Sequence, residues 1–227
     1  MYAAAAAGII ALAAVIIGVM VTRGSSGGRP TSADVASAMA AAGCTYKTAK
    51  PLPFPSDHSE VPTLQTPVTW TTFPPASGEH WRSPAIWGFY RNAINPRQVV
   101  HNEEHGGVVL WWGPQTPAST IDKLEQFYQE KPDSMFGTML SNAHPGITYR
   151  TTGLHALGSK VAITAWGIDH QPDYFQKVDG VVDRGYGVAA VCPTFDEKAF
   201  STFRDAHRGY GPEFPQNYSL QINKPGH

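Results

Sequence analysis

Residues Tyr2 to Val21 carry no charged side chain and are almost wholly Ala, Ile, Val, Leu, Gly and Met. A helix of that length spans about 30 Å, the thickness of a bilayer's hydrocarbon core. So uniformly apolar a helix is foreign to a small soluble core. It also exceeds the apolar stretch of an ordinary secretion signal, and no small-x-small cleavage site follows closely. The sequence therefore divides into a transmembrane anchor over residues 2–22, a flexible linker over 23–30 and a single domain over 31–227. Gly, Ser, Arg and Pro make up the end of that linker, a composition that stays unstructured by itself. The chain's one predicted partner is thus the membrane, reached through the N-terminal helix.

Charge narrows the function classes. The formal net charge is −1 and only 15% of residues are charged, without the basic stripe that nucleic-acid binding requires. Aromatic residues reach 11%, enough to build a packed core, so the domain is globular and not disordered.

Thr31-Ser32 caps an Ala-rich helix over 33–42 that stops at Gly43. Prolines crowd residues 51–75, leaving Val68 to Thr72 as the clear strand there. Asn95-Pro96 opens either a short helix toward His105 or a strand that bends at Gly106-Gly107. Val108 to Trp112 reads as a buried strand. Ser119 starts a helix with Ile121, Leu124, Phe127 and Tyr128 on one face, and strands are expected over Ile147–Arg150 and Val161–Trp166. Residues Gln171 to Ala190 lack a clean period and read largely as loop. Thr194 to Glu197 has the form of a capping box, opening a helix with Phe195, Ala199 and Phe203 in register and Gly209 at its end. This order predicts an α+β fold, a small mixed sheet with helices packed on one face.

The densest chemistry lies in His101-Asn102-Glu103-Glu104-His105-Gly106-Gly107. Formally it is H-x-x-E-H, the inverted zinc-protease pattern. Protease chemistry needs that pattern on a long helix, whereas here a glycine pair and a strand follow at once, so a peptidase is disfavoured. His101 and His105 are four apart and share a face if helical; at a sharp turn they also converge. His80 follows the rigid turn Pro74-Pro75-Ala76-Ser77-Gly78, and His58 lies in the proline-rich stretch. Imidazole and carboxylate suit a divalent cation such as zinc. Met135 and Met139, with His144, offer a second set with the soft sulfurs that reduced copper prefers. Against both stands a metal-free reading, in which the same groups cap backbone atoms and brace a turn.

Four stretches, Pro74 to His80, Val100 to Val108, Thr164 to Gly167 and Tyr210 to Glu213, together resemble a bacterial family catalogued as domain of unknown function 3105, over roughly Cys44 to Pro215. Where Glu103 stands, the family usually has a hydrophobe, so the resemblance makes Glu104 the motif carboxylate. It also implies one N-terminal anchor with the domain outside the cytoplasm, usually behind a basic leader. The positive-inside rule, applied to Arg23 and Arg29 alone, points the other way, so the resemblance implies a start upstream of Met1. Cys44 and Cys192 are consistent with one long-range disulfide or with two separate buried thiols; an extracytoplasmic compartment allows the former.

The resemblance brings no activity with it. The leading expectation is a divalent metal, zinc or copper, held by His80, His101, His105, His58 and Glu104. The alternatives are a metal-assisted hydrolase with Glu104 as general base, and a metal-free envelope interaction module.

Overall fold

The computed structural model describes residues 28–53, 60–141, 144–151, 153, 155–168, 177–178, 181–182 and 184–213. The expected anchor, residues 23–27 of the linker, and His58 lie outside the described residues. Among the described residues no helix is long and apolar enough to cross a membrane.

The chain enters through α1 (Ser32–Ala41). Thr31 caps it in a reciprocal box with Asp34, and Gly43 turns out of it at φ +71°. Then come β1 (Thr45–Ala49), the short β2 (Glu60–Val61), β3 (Val68–Trp70), β4 (His80–Trp81) and β5 (Phe89–Tyr90). α2 (Pro96–Glu104) leads into β6 (Val108–Trp112), followed by α3 (Ala118–Glu130) and β7 (Met135–Met139). The chain continues through β8 (Ile147–Tyr149), β9 (Val161–Gly167), a two-residue pair β10 (Lys177–Val178) and β11 (Val181–Val182), β12 (Tyr186–Cys192) and α4 (Glu197–His207).

Six strands form the main sheet in the order β1-β12-β9-β6-β7-β5. β6 and β7 run parallel because α3 carries the chain back between them; β9, β12 and β1 add on antiparallel. Side chains alternate between the faces of a strand. Val108, Leu110 and Trp112 therefore meet Val35 and Met39 of α1, Leu124 and Phe127 of α3, and Phe200 and Phe203 of α4. Val109 and Trp111 point the other way and meet Val99 of α2, Phe73, Ala85 and Leu157. This accounts for the unbroken apolar run of β6: the strand is buried on both faces.

The α+β class with a mixed sheet is what the order of elements predicts, but the layering differs. α1, α3 and α4 share one face, while α2 covers the opposite one, together with the proline-rich loops. The reason is local. Val99 and Val100 face two different apolar clusters on the far side of the sheet, and the polar remainder of α2 finds partners in the loops.

Two other expectations need correction. Tyr186 to Ala190 is not loop but most of β12, a central strand paired on both edges; its small residues Gly187, Ala189 and Ala190 conceal it in the sequence. The cap of α4 is Asp196, whose side chain accepts from Ala199 N at 2.8 Å, and not Thr194. Cys44 and Cys192 form a disulfide that closes a separation of 148 residues and ties the start of β1 to the end of β12.

Candidate metal centre

α2 is the platform of the site, and its sequence dictates both ends. Asn95 caps it by accepting from Arg97 N, and Pro96 sits where a missing N–H costs nothing. At the other end Gly106 takes φ +79°, which favours glycine. A Cβ on Gly107 would stand 2.5 Å from the Trp87 ring and 2.6 Å from the Asn102 carbonyl. The glycine pair is thus a steric requirement for turning a helix directly into β6.

Buried polar side chains lock the helix to its neighbours. The Asn102 amide both accepts from Ala85 N (3.0 Å) and donates to Ala85 O (2.9 Å). Arg97 donates to the carbonyls of Thr66 and Pro145. His101, Glu104 and His105 therefore project from a fixed helix end, where the C-terminal carbonyls favour positive charge.

His80 reaches the same point from the loop Thr72 to Gly78, which is buried throughout. Its Nδ1 lies 2.9 Å from Gly78 O, and its Nε2 lies 3.0 Å from Glu104 Oε2. His101 repeats the arrangement, with Nδ1 2.8 Å from Trp81 O and Nε2 3.0 Å from His105 Nε2. A carbonyl oxygen only accepts, so both rings carry hydrogen on Nδ1 and turn Nε2 toward the centre.

The electrostatics follow from this geometry. Burial alone would discharge His80, but Glu104 opposes it by charge and hydrogen bond and raises the imidazole above its ordinary value. Burial likewise pushes Glu104 up, and the charge and hydrogen bond of His80, with His101 and His105, outweigh it and hold the carboxyl at about 2. His101 is lowered to about 4 by burial and by the charge of His80. His105 is lowered as well, chiefly by burial.

Two sets of donors result. His80, His101 and Glu104 bring one ligand atom each within 4.8 Å of one another, and so do Glu104, His105 and Glu213. The first set is closed: His80 is fully buried, His101 7% exposed and Glu104 9%. The second opens outward, with the side chains of His105 and Glu213 40% and 27% exposed.

Glu213 is absent from the predicted ligands, although it ends the Tyr210 to Glu213 stretch on which the family resemblance partly rests. It arrives on a strap after α4. Gly209 N donates to Gly106 O at 2.8 Å and Glu213 N to Glu104 O at 3.1 Å. A Cβ on Gly211 would lie 2.3 Å from both Glu104 O and Gly106 N, so the strap lies flat on the end of α2.

Of the two carboxylates in the motif, Glu104 belongs to the centre and Glu103 does not. Glu103 is fully buried beneath the helix and accepts from Thr164 Oγ1, which in turn accepts from Trp111 Nε1 at 2.7 Å. Burial raises its carboxyl well above the usual range, with the Thr164 bond opposing. Met135 and Met139 face the helix-covered core, and Met135 is fully buried there. His144 lies near Arg97 instead, so the thioether set does not assemble. His155 bonds Thr151 O, and His207 is buried in α4. Trp81 and Trp87 support the site through backbone and packing: Trp81 O holds His101, and Trp87 fills the space over Gly107.

Imidazole and carboxylate donors at this spacing fit zinc or another borderline divalent ion. His80 and His101 each already have a backbone carbonyl on Nδ1, the contact that fixes the orientation of a metal-binding ring. No curated protein and no solved structure matches the chain. A family model described as "Protein of unknown function (DUF3105)" matches residues 62–214, a span that starts after β1 and includes His80, α2 and the Glu213 strap. The protein belongs to that family.

Proposed function

We propose that this protein is a divalent-metal-binding domain, held outside the cytoplasm by its N-terminal helix, with the ion on His80, His101 and Glu104. The observation that carries the reading is the shared arrangement of His80 and His101. Both Nδ1 atoms are engaged by backbone carbonyls, and both Nε2 atoms converge with the Glu104 carboxylate inside a buried shell. Zinc or copper(II) suits such donors. The membrane reading is supported by the uncharged run within residues 2–22, and the compartment by the Cys44–Cys192 disulfide, which persists where conditions oxidise.

A metal-free module is the competing reading, favoured by one observation: the His80–Glu104 ion pair at 3.0 Å satisfies both groups without any ligand. A hydrolase with Glu104 as general base gains less support, because a carboxyl held at about 2 is a weak base. Elemental analysis of the full chain in detergent, beside His80→Ala/His101→Ala, separates the first two. Stoichiometric metal in the wild type, lost in the variant, supports the proposal. Metal-free wild type after incubation with zinc and copper salts contradicts it.

A further inference from the structure

The five donors His80, His101, Glu104, His105 and Glu213 do not all come within reach of one ion. Metal–nitrogen and metal–oxygen bonds to zinc are about 2.0–2.2 Å, so two ligands of one ion are at most about 4.4 Å apart. The donors instead fall into two groups of three, His80-His101-Glu104 and Glu104-His105-Glu213, and Glu104 is the member common to both. A carboxylate has two oxygens and can offer one to each of two cations.

We infer that the centre is built for two divalent cations, with Glu104 bridging an inner ion on His80 and His101 and an outer ion on His105 and Glu213. This rests on the metal-binding reading above and adds a second site to it.

Two features support the outer site. First, Glu213 is placed by backbone, not by chance: the strap is hydrogen-bonded at Gly106 and Glu104, and Gly211 leaves no room for a side chain. Second, His105 Nε2 lies 4.0 Å from Glu213 Oε2 but 3.0 Å from His101 Nε2. With His101 Nε2 committed to the inner ion, His105 Nε2 beside it is the nitrogen left for an outer ion.

The two sites differ in access. The inner ion is enclosed by buried side chains, whereas the outer one faces solvent through the half-exposed His105 and the part-exposed Glu213. The outer ion therefore keeps water-facing positions and exchanges more readily.

The test is zinc stoichiometry of the full chain in mild detergent, by elemental analysis after desalting and by titration with zinc. Glu213→Gln and His105→Ala serve as outer-site variants and Glu104→Gln as the bridge variant, each checked for retained fold by circular dichroism. The wild type is expected to hold two zinc ions in two steps. Each outer-site variant should hold one, with the tighter step retained. Glu104→Gln should lose the outer ion and weaken the inner by roughly tenfold or more. One ion in the wild type, unchanged by Glu213→Gln, overturns the second site and leaves the single-metal reading standing. Two ions in both the wild type and Glu213→Gln also overturn it. No zinc at all overturns both.

Discussion

Glu104 and its neighbour Glu103 leave the same helix turn in opposite senses: Glu104 pairs with His80 Nε2 at 3.0 Å, while Glu103 accepts from the Thr164 hydroxyl in the core. Charge partners hold the Glu104 carboxyl low, whereas burial under the sheet pushes that of Glu103 up. The same substitution at the two positions therefore has different consequences. Glu103→Gln keeps an acceptor for Thr164 and is expected to retain both fold and metal. Glu104→Gln is expected to fold but to lose the outer ion and to bind the inner one more weakly. Parallel metal analysis and thermal melts check this; equal metal loss in both variants would contradict the assignment.

His80→Ala removes the partner of a buried carboxylate. An uncompensated buried charge costs about 3–5 kcal/mol, so the variant should be strongly destabilised in urea. Replacing both His80 and Glu104 by apolar residues of similar volume should recover much of that loss, since neither charge is then stranded. A double variant no more stable than His80→Ala would mean that packing, not charge, is responsible.

Acid sensitivity has an identifiable source away from the centre. His207 is buried against Phe203, and neither ring nitrogen has a partner among the described residues. Burial, with the nearby charge of Arg29, lowers its imidazole from 6.5 to about 3. The unfolded chain then binds a proton that the folded one refuses. Stability falls as pH drops through that window, by at most about 1.4 kcal/mol per pH unit. His207→Phe should remove this share of the slope. Urea midpoints for wild type and variant should converge near pH 7.5 and separate in favour of the variant at pH 5; parallel curves would rule the mechanism out.

The Cys44–Cys192 bond closes a separation of 148 residues, which corresponds to about 4–5 kcal/mol in the chain-entropy treatment. Reduction under non-denaturing conditions should lower the melting temperature accordingly without changing far-UV dichroism at 25 °C. Thiol titration of the exported, denatured protein should find no free thiols; two would contradict the bond.

Much of this arrangement was legible in the sequence wherever chemistry is local. Thr31 and Gly43 bound α1, the apolar runs of β6 and β9 marked the buried middle of the sheet, and Asn95-Pro96 and Gly106 bound α2 as the helical of the two readings open there. Of the residues named from the sequence, His80 and His101 come together with Glu104, His105 groups with Glu104 and Glu213, and His58 lies outside the described residues. What remained hidden depends on distant partners. β12 carries Gly187 where Ser77 and Ala76 leave no room for a side chain, and no periodicity announces that contact. β1 is an exposed edge strand with Thr, Lys and Thr facing out, so it lacks an apolar signature. α2 lies on the face opposite the other helices because Asn102 and Arg97 find loop carbonyls there. Glu213 joins the site through a strap whose docking on α2 is a tertiary event. Its glycines were the visible clue, since Gly209 and Gly211 flank the contact.

The central claim is that His80, His101 and Glu104 form a metal shell and not a self-sufficient ion pair. Its most direct measurement is the cobalt(II) absorption spectrum of the full chain in detergent, titrated under conditions that leave the fold intact. Saturable visible bands of a nitrogen- and oxygen-ligated ion are expected, displaced by zinc and abolished in His80→Ala/His101→Ala. A spectrum indistinguishable from cobalt(II) in buffer, from a protein shown to be folded, would contradict it.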